Sequence, residues 1–389
     1  MNRGKIIKRD TAPDVIRGFA LLGILVVNIQ YVGLSSKGLQ GYYIDSLANE
    51  VAGFLIFALF QGKFYLLFSF LFGYSSSYII RGASSNRIRW IKRCLFLMAL
   101  GIIHGTLLWF GEILFIYGLF GLAITPFLFR SDKVLKVWIW LTFISFASVS
   151  LIFTSLLMAI DKFLPEEDLS ASLSSKRALE LDKSMLNGTY LDSIDSRASY
   201  WLETIPFLIL FQGIVAFVAF LMGIYASRSN LLSPSTPEKH IFKMIKIGVI
   251  FGLPIQLVLA TLWLMNSAAP NNSEIVHLGL TAISMITAPL LSVGYLGAIL
   301  AIIRIQPSLV GWMKSAGKVS LTTYISQSIA MLFIFAPWGL GLFQKVELWL
   351  LMPIALTIWL IQSYCATLWL KRFNLGPMEA ALNFLTKNR

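Results

Sequence analysis

The sequence predicts an all-α, polytopic helical membrane protein of about ten transmembrane helices. Both termini are expected on the inner side, with an interfacial or re-entrant helix near residues 47–60. Three observations carry this reading. Hydrophobic residues make up 57% of the 389 residues and charged residues only 13%, against about 25% charge in an ordinary soluble domain; mean hydropathy is +0.74. Apolar runs of membrane-spanning length recur from end to end. The basic residues behind a net charge of +13 are scattered among short connections between those runs. That is the positive-inside pattern, so nucleic acid is not an expected partner and the lipid bilayer is. Residues 1–389 read as a single integral membrane domain.

Residues 1–12 form a basic arm with Arg3, Lys5, Lys8 and Arg9, and the long apolar run that follows has no small-residue cleavage site. That run is therefore expected to be retained as a span rather than removed as a signal peptide. Span one covers about 13–32. Pro13 suits a first helical turn, and Asp14 favours the positive end of the helix dipole. Arg17, three residues on, shares a face with Asp14 or else snorkels to the interface. Asn28, deeper in the span, needs a hydrogen-bonding partner.

Leu47 to Ile80 is too long for one span at 1.5 Å per residue and divides near Gln61-Gly62-Lys63. If both halves crossed, the basic cluster Arg81, Arg87, Arg89, Lys92 and Arg93 would fall outside, against the charge rule. Residues 47–60 are accordingly expected to be interfacial or re-entrant, 64–80 to be span two, and Lys63 to lie on the outer side. Span three (about 90–110) places His104 in its outward half. Span four (113–129) follows a turn holding Glu112, expected at the outer edge, and span five covers 137–160.

Residues 161–203 contain nine of the nineteen acidic residues. Their position opposite the basic connections marks an extracytoplasmic loop insertion with short amphipathic helices. Spans six to ten are expected at about 206–226, 247–265, 275–303, 319–338 and 348–370. Glu274 and His277, spaced i, i+3, share a face at the outer start of span eight. Span nine opens KVSLTTYISQS, where Tyr324 and Gln327 belong to a polar cluster of the kind that joins helices.

Only two cysteines and three histidines are present, so neither a disulfide framework nor a metal centre is expected. The chain contains no phosphate-binding loop, dinucleotide fingerprint or helical HExxH motif. The chemistry instead concentrates in LGIIHGTLLWFGEILFIYGL (100–119), an apolar stretch holding His104, Glu112 and Tyr117. Ionisable groups cost about 2.5–3.5 kcal/mol each in such a segment on insertion scales, and they mark functional sites by default.

Four blocks, DVIRGFALLGILVVNI (14–29), GKFYLLFSFLFGYS (62–75), RCLFLMALGIIHGTLLWFGEILFIYGLFGL (93–122) and GKVSLTTYISQS (317–328) with the trailing NLGPMEA (374–380), resemble the YeiB-like membrane proteins in the same order. The resemblance runs the length of the chain. It implies a relation to transmembrane acyltransferases, which carry an acyl group from cytoplasmic acyl-CoA to a sugar hydroxyl or amine across the membrane, with a bundle histidine at the centre. His104 is the matching residue. The family usually has Asp where this chain has Glu112. Its tail usually continues with an aromatic residue and an arginine, where Ala380 and Asn383 stand here.

These residues suit acyl transfer. Imidazole exchanges a proton near neutrality, so His104 can act as base or carry the acyl group, and Glu112 can orient it. Acyl-CoA is the expected co-substrate, with no permanently bound cofactor. Arg87, Arg89 and Arg93, with Arg17, are candidates for its phosphates, although the charge rule explains that cluster without a ligand. Asp14, Asn28, Lys63, Tyr117, Tyr324 and Gln327 are candidate pocket groups. The acceptor is expected to be an envelope glycan, lipid or small molecule, and the location the bacterial cytoplasmic membrane. A small-solute transporter and a non-catalytic envelope protein stay open as alternatives, and a homo-oligomer is compatible with the chain.

Overall fold

The computed structural model describes residues 11–41, 44, 46–80, 86–161, 176–269 and 273–386. No strand occurs among them. The chain opens with α1 (Ala12–Gly33), which begins at a proline with Asp14 in its first turn. Then follow α2 (Leu47–Leu55), α3 (Lys63–Ile80), α4 (Arg87–Leu107), α5 (Leu114–Ala123) and α6 (Asp132–Asp161). An outer pair, α7 (Lys176–Asn187) and α8 (Tyr190–Phe207), leads through a π-helical stretch into α9 (Ile214–Arg228). Another π-helical stretch joins α10 (Glu238–Ile247) to α11 (Leu253–Ala268), and α12 (Glu274–Ile305) is the longest uninterrupted α-helix among the described residues. Two short helices, α13 (Pro307–Gly311) and α14 (Met313–Lys318), precede α15 (Ser320–Phe335), α16 (Leu348–Arg372) and α17 (Pro377–Thr386).

Among the described residues, eight helices are long and apolar enough to cross a membrane by length and composition. The shorter apolar helices α5 and α15 occupy the places of expected spans four and nine. This is a multi-pass helical membrane protein. Its outward faces agree: Trp140, Ile144, Ile152, Ile250, Phe333 and Ile361 are all exposed, as side chains facing lipid are. The ends of the helices that carry the basic connections are called inner here, and the opposite ends outer.

Residues 47–60 do not cross by themselves, as expected, yet they do not turn back either. Near the outer end, Asn49 Oδ1 accepts from the Trp349 amide and Phe57 stacks on Trp263. At the break, Gln61 leaves the helical conformation, and Gly62 has a φ of +81°, a left-handed value that glycine adopts freely. The chain then continues inward as α3 along α12. Residues 47–80 thus form one passage in two pieces. Lys63, expected on the outer side, is fully buried in the bundle at this break.

The expected 161–203 loop is reshaped by its helices. Residues 162–175 lie outside the described residues. Thr189 and Asp192 form a reciprocal capping box, and the helix it starts continues through a π-helical stretch to Arg228, so expected span six begins at Tyr190 rather than near 206. The amphipathic α7 docks on the connection after α1. There Asp182 accepts from the Ser36 amide at 2.8 Å and from Ser35 Oγ at 3.0 Å. Burial raises the Asp182 carboxyl above its ordinary range, the two serines and nearby Lys37 pulling the other way.

Candidate functional site

His104 stands one turn before the outer end of α4. Its own carbonyl accepts from the Leu108 and Trp109 amides at 2.9 and 2.8 Å, which closes the helix and turns the chain toward α5. That turn delivers Glu112. One carboxylate oxygen, Oε2, accepts from the Phe115 amide at 2.9 Å and so caps the start of α5. The other, Oε1, lies 3.1 Å from His104 Nδ1. Neither of these two atoms has a hydrogen-bond partner of good geometry, so the contact is a close approach rather than an aligned hydrogen bond. Glu112 is fully buried, not at an open outer edge as its place in the sequence suggested.

The second ring nitrogen completes a chain of three residues. His104 Nε2 lies 2.9 Å from Ser328 Oγ on α15. Both side chains are buried, His104 1% and Ser328 2% exposed. In the tautomer with the proton on Nδ1, that proton faces the carboxylate and Nε2 faces the Ser328 hydroxyl as acceptor. A hydroxyl, an imidazole and a carboxylate in this order can withdraw a proton from an oxygen and hold the imidazolium that results. Tyr324 packs one turn before Ser328 with its ring 5.2 Å from the imidazole, and its hydroxyl lies against the Glu112–Ile113 turn.

Two supports hold this arrangement. At the outer side, Arg197 of α8 is 2% exposed and donates to the carbonyls of Leu107 and Thr106 at 2.6 and 3.2 Å. A cation at a helix C-terminus is favourable, and here it fixes the turn beyond His104. At the inner side, Glu379 of α17 accepts from the Leu321 amide at 2.7 Å and Thr322 Oγ1 at 2.6 Å. It therefore caps α15, the helix that presents Tyr324 and Ser328. No function was expected of the tail; Glu379 gives it a positioning one.

The remaining candidates fall into separate places. Tyr117 bonds Ser69 at 2.7 Å inside an aromatic group with Phe68, Phe72 and Phe220. Gln327 donates to the Leu21 carbonyl at 3.2 Å and ties α15 to α1. Asn28 is half-buried on α1, and no described hydrogen bond joins it to His104 or Glu112. Arg17 bonds Asp14 at 3.0 Å and also Ser75 on α3. Arg93, whose Nε is buried without a partner, has Arg17, Glu379 and Arg89 as electrostatic neighbours. Arg87 and Arg89 are exposed, Arg87 against the Phe129 ring. Lys63 donates to the Phe57 carbonyl at 2.7 Å and to Ser284 at 3.3 Å, away from His104. Glu274 and His277 do not act as a pair: Lys37 binds Glu274 at 3.1 Å, and Trp263 donates to His277 Nδ1 at 2.9 Å.

Ser328, Arg197 and Glu379 were not singled out in the sequence. Ser328 had one available signal, its i+4 spacing from Tyr324 on a polar helix face. Among the described residues, no cluster of three metal-ligating side chains is present.

A buried hydroxyl–imidazole–carboxylate chain within a helical bundle defines the class: a multi-pass helical membrane protein with a buried polar site. Residues 226–388 match the family described as "Protein of unknown function (DUF418)". The chain is 28% identical to "Uncharacterized protein YxaH" of Bacillus subtilis, over 94% of this chain and 91% of the relative. It is 26% identical to "Uncharacterized protein YeiB" of Escherichia coli, over 96% and 95% respectively. The "Uncharacterized 39.9 kDa protein in amylase 3'region" of Bacillus acidopullulyticus is 26% identical over 97% of this chain and 93% of the relative. The match over residues 226–388 and the near-full-length similarity to YxaH and YeiB support a relation to the YeiB-like DUF418 proteins.

Proposed function

We propose that the protein is an acyl-CoA-dependent acyltransferase of the bacterial cytoplasmic membrane, with both termini inside and 161–203 outside. The observation that carries this reading is the buried Ser328–His104–Glu112 chain. In the proposed reaction an acceptor hydroxyl or amine takes the place of Ser328 Oγ at His104 Nε2. The imidazole removes its proton as the acceptor atom forms a bond to the thioester carbonyl carbon. Collapse of the tetrahedral intermediate breaks the C–S bond, and the CoA thiolate takes the proton back from His104. Glu112 opposes the positive charge of the imidazolium in between.

The arginine pair at the inner end supports the donor's place. Arg93 precedes His104 by eleven residues on α4, roughly 16 Å along the helix, and has Arg17 beside it. Phosphates held there by guanidinium groups leave the pantetheine arm to reach toward the imidazole. The acceptor, an envelope glycan, lipid or small molecule, enters from the outer end. The test is turnover of radiolabelled acyl-CoA by purified protein in lipid vesicles. His104→Ala is expected to abolish it while folding and insertion persist; normal transfer by that variant sinks the mechanism.

The break at Gln61-Gly62 favours a second reading. Discontinuous helices with a charged group at the break are a feature of transporters, and Lys63 is such a group. Solute flux through vesicles without any acyl donor, lost in Lys63→Met and retained in His104→Ala, supports that reading over the first.

A further inference from the structure

Away from His104 the bundle holds a groove of about 710 Å³ on the opposite side of α3, open between α6 and the helices α9, α10 and α12. Its depth is apolar, with Leu66, Phe70, Phe143, Val218, Met222 and Val293 among its walls. Its inner end is different. Lys136 from the first turns of α6 and His240 and Lys243 from α10 line it, beside the polar connection that includes Ser229 and Asn230. The described lining contains no carboxylate.

The two lysines are not committed to other charges. Among the described residues neither has an ion-pair partner: the nearby Asp132 is bound by Arg228 at 2.7 Å. Lys136 is instead held over the Tyr225 ring, with Nζ 5.1 Å from its centroid. Cations at the rim of an apolar slot, at the depth where the basic connections lie, match a molecule with a negative head and a hydrocarbon tail. A soluble anion has no use for the slot, and a neutral lipid has no use for the cations.

We propose that this groove binds a phospholipid with a net-negative headgroup, its phosphate between Lys136, His240 and Lys243 and one acyl chain lying along Phe143 and Met222. The site is independent of the acyl-transfer reading and needs no reaction at His104. It uses the inner leaflet, where anionic lipids and basic segments attract each other.

The test is native mass spectrometry of the full chain in mild detergent, titrated with phosphatidylglycerol and, separately, with phosphatidylcholine. The wild-type chain is expected to retain phosphatidylglycerol preferentially. Removing both lysines as Lys136→Gln with Lys243→Gln should weaken it about 30-fold and leave phosphatidylcholine unchanged. Lys136→Arg with Lys243→Arg should restore preference, which separates lost charge from lost folding. Met222→Trp, which fills the slot, should weaken both lipids alike. Equal affinity for the two lipids, or phosphatidylglycerol binding indifferent to the double glutamine variant, overturns the proposal. So does displacement of the lipid by inorganic phosphate, which would make the free anion the ligand.

Discussion

Gly101 and Glu112 are packed so closely that a Cβ on Gly101 would stand 2.7 Å from Glu112 Oε2 and 2.3 Å from the Phe115 amide nitrogen. The missing side chain is what lets the turn after α4 fold down until its carboxylate reaches His104. Gly101 and His104 are three residues apart on one face of the helix, so the sequence places the gap beside the imidazole it serves.

Gly101→Ala tests this directly. In an exposed helix the change would gain up to about 1 kcal/mol from helix propensity. Here the neighbour is backbone, and overpacking of that kind costs about 1–3 kcal/mol. Thermal unfolding in detergent should therefore show a net loss of stability, and donor turnover should fall with it. A more stable protein with full turnover would show that Glu112 does not depend on this approach.

Glu112→Gln keeps the volume and an acceptor for the Phe115 amide but removes the charge opposite His104. Turnover of acyl donor is expected to drop on the order of 10²–10⁴-fold with only a small change in unfolding temperature. Glu112→Ala should also destabilise, by about 0.5–2 kcal/mol, through loss of the cap on α5. Equal turnover in all three proteins would leave the carboxylate a purely structural cap.

Glu379→Ala removes the acceptor that caps α15 and should cost about 0.5–2 kcal/mol in stability. Because α15 carries Ser328 and Tyr324, turnover should fall more steeply than stability. Limited proteolysis of the tail should reproduce the defect. Wild-type turnover after removal of α17 would dismiss the positioning role.

The docking of α7 should depend on pH through Asp182. Its folded-state pKa is raised by burial, so protonation favours the docked form. The contribution is fully present below the ordinary carboxylate range and is lost as pH rises through the raised folded value. Protease protection of residues 176–187 should accordingly weaken as pH rises through that window, and Asp182→Asn should flatten the profile. An unchanged slope in Asp182→Asn would assign the effect to another group.

Much of this was legible in the sequence for physical reasons. Long apolar runs and the placement of lysines and arginines are properties of composition along the chain, and the helices follow them. His104 and Glu112 stood out because an ionisable group in an apolar run is costly wherever it ends up. Ser328 did not stand out, since serine is ordinary in a membrane helix and its bond to His104 spans 224 residues. Arg197 was hidden in a segment read from its acids as a loop. The burial of Lys63 was not legible, because it depends on how the passage bends at Gly62, and a lysine beside a glycine turn looks the same in sequence whether exposed or enclosed.

The capping of α15 by Glu379 also sets an order of assembly. His104 leaves the ribosome well before Ser328, and Glu379 follows later still. At about 5–20 residues per second, the imidazole waits roughly a quarter of a minute to a minute for the helix that completes its surroundings. Of its charged supports, Glu112 follows within 8 residues and Arg197 within 93, so for most of that interval what is missing is the α15 side. A chain stalled between Ser328 and Glu379 would present Ser328 on an uncapped α15, so α17 couples the surroundings of His104 to a segment made 275 residues after it.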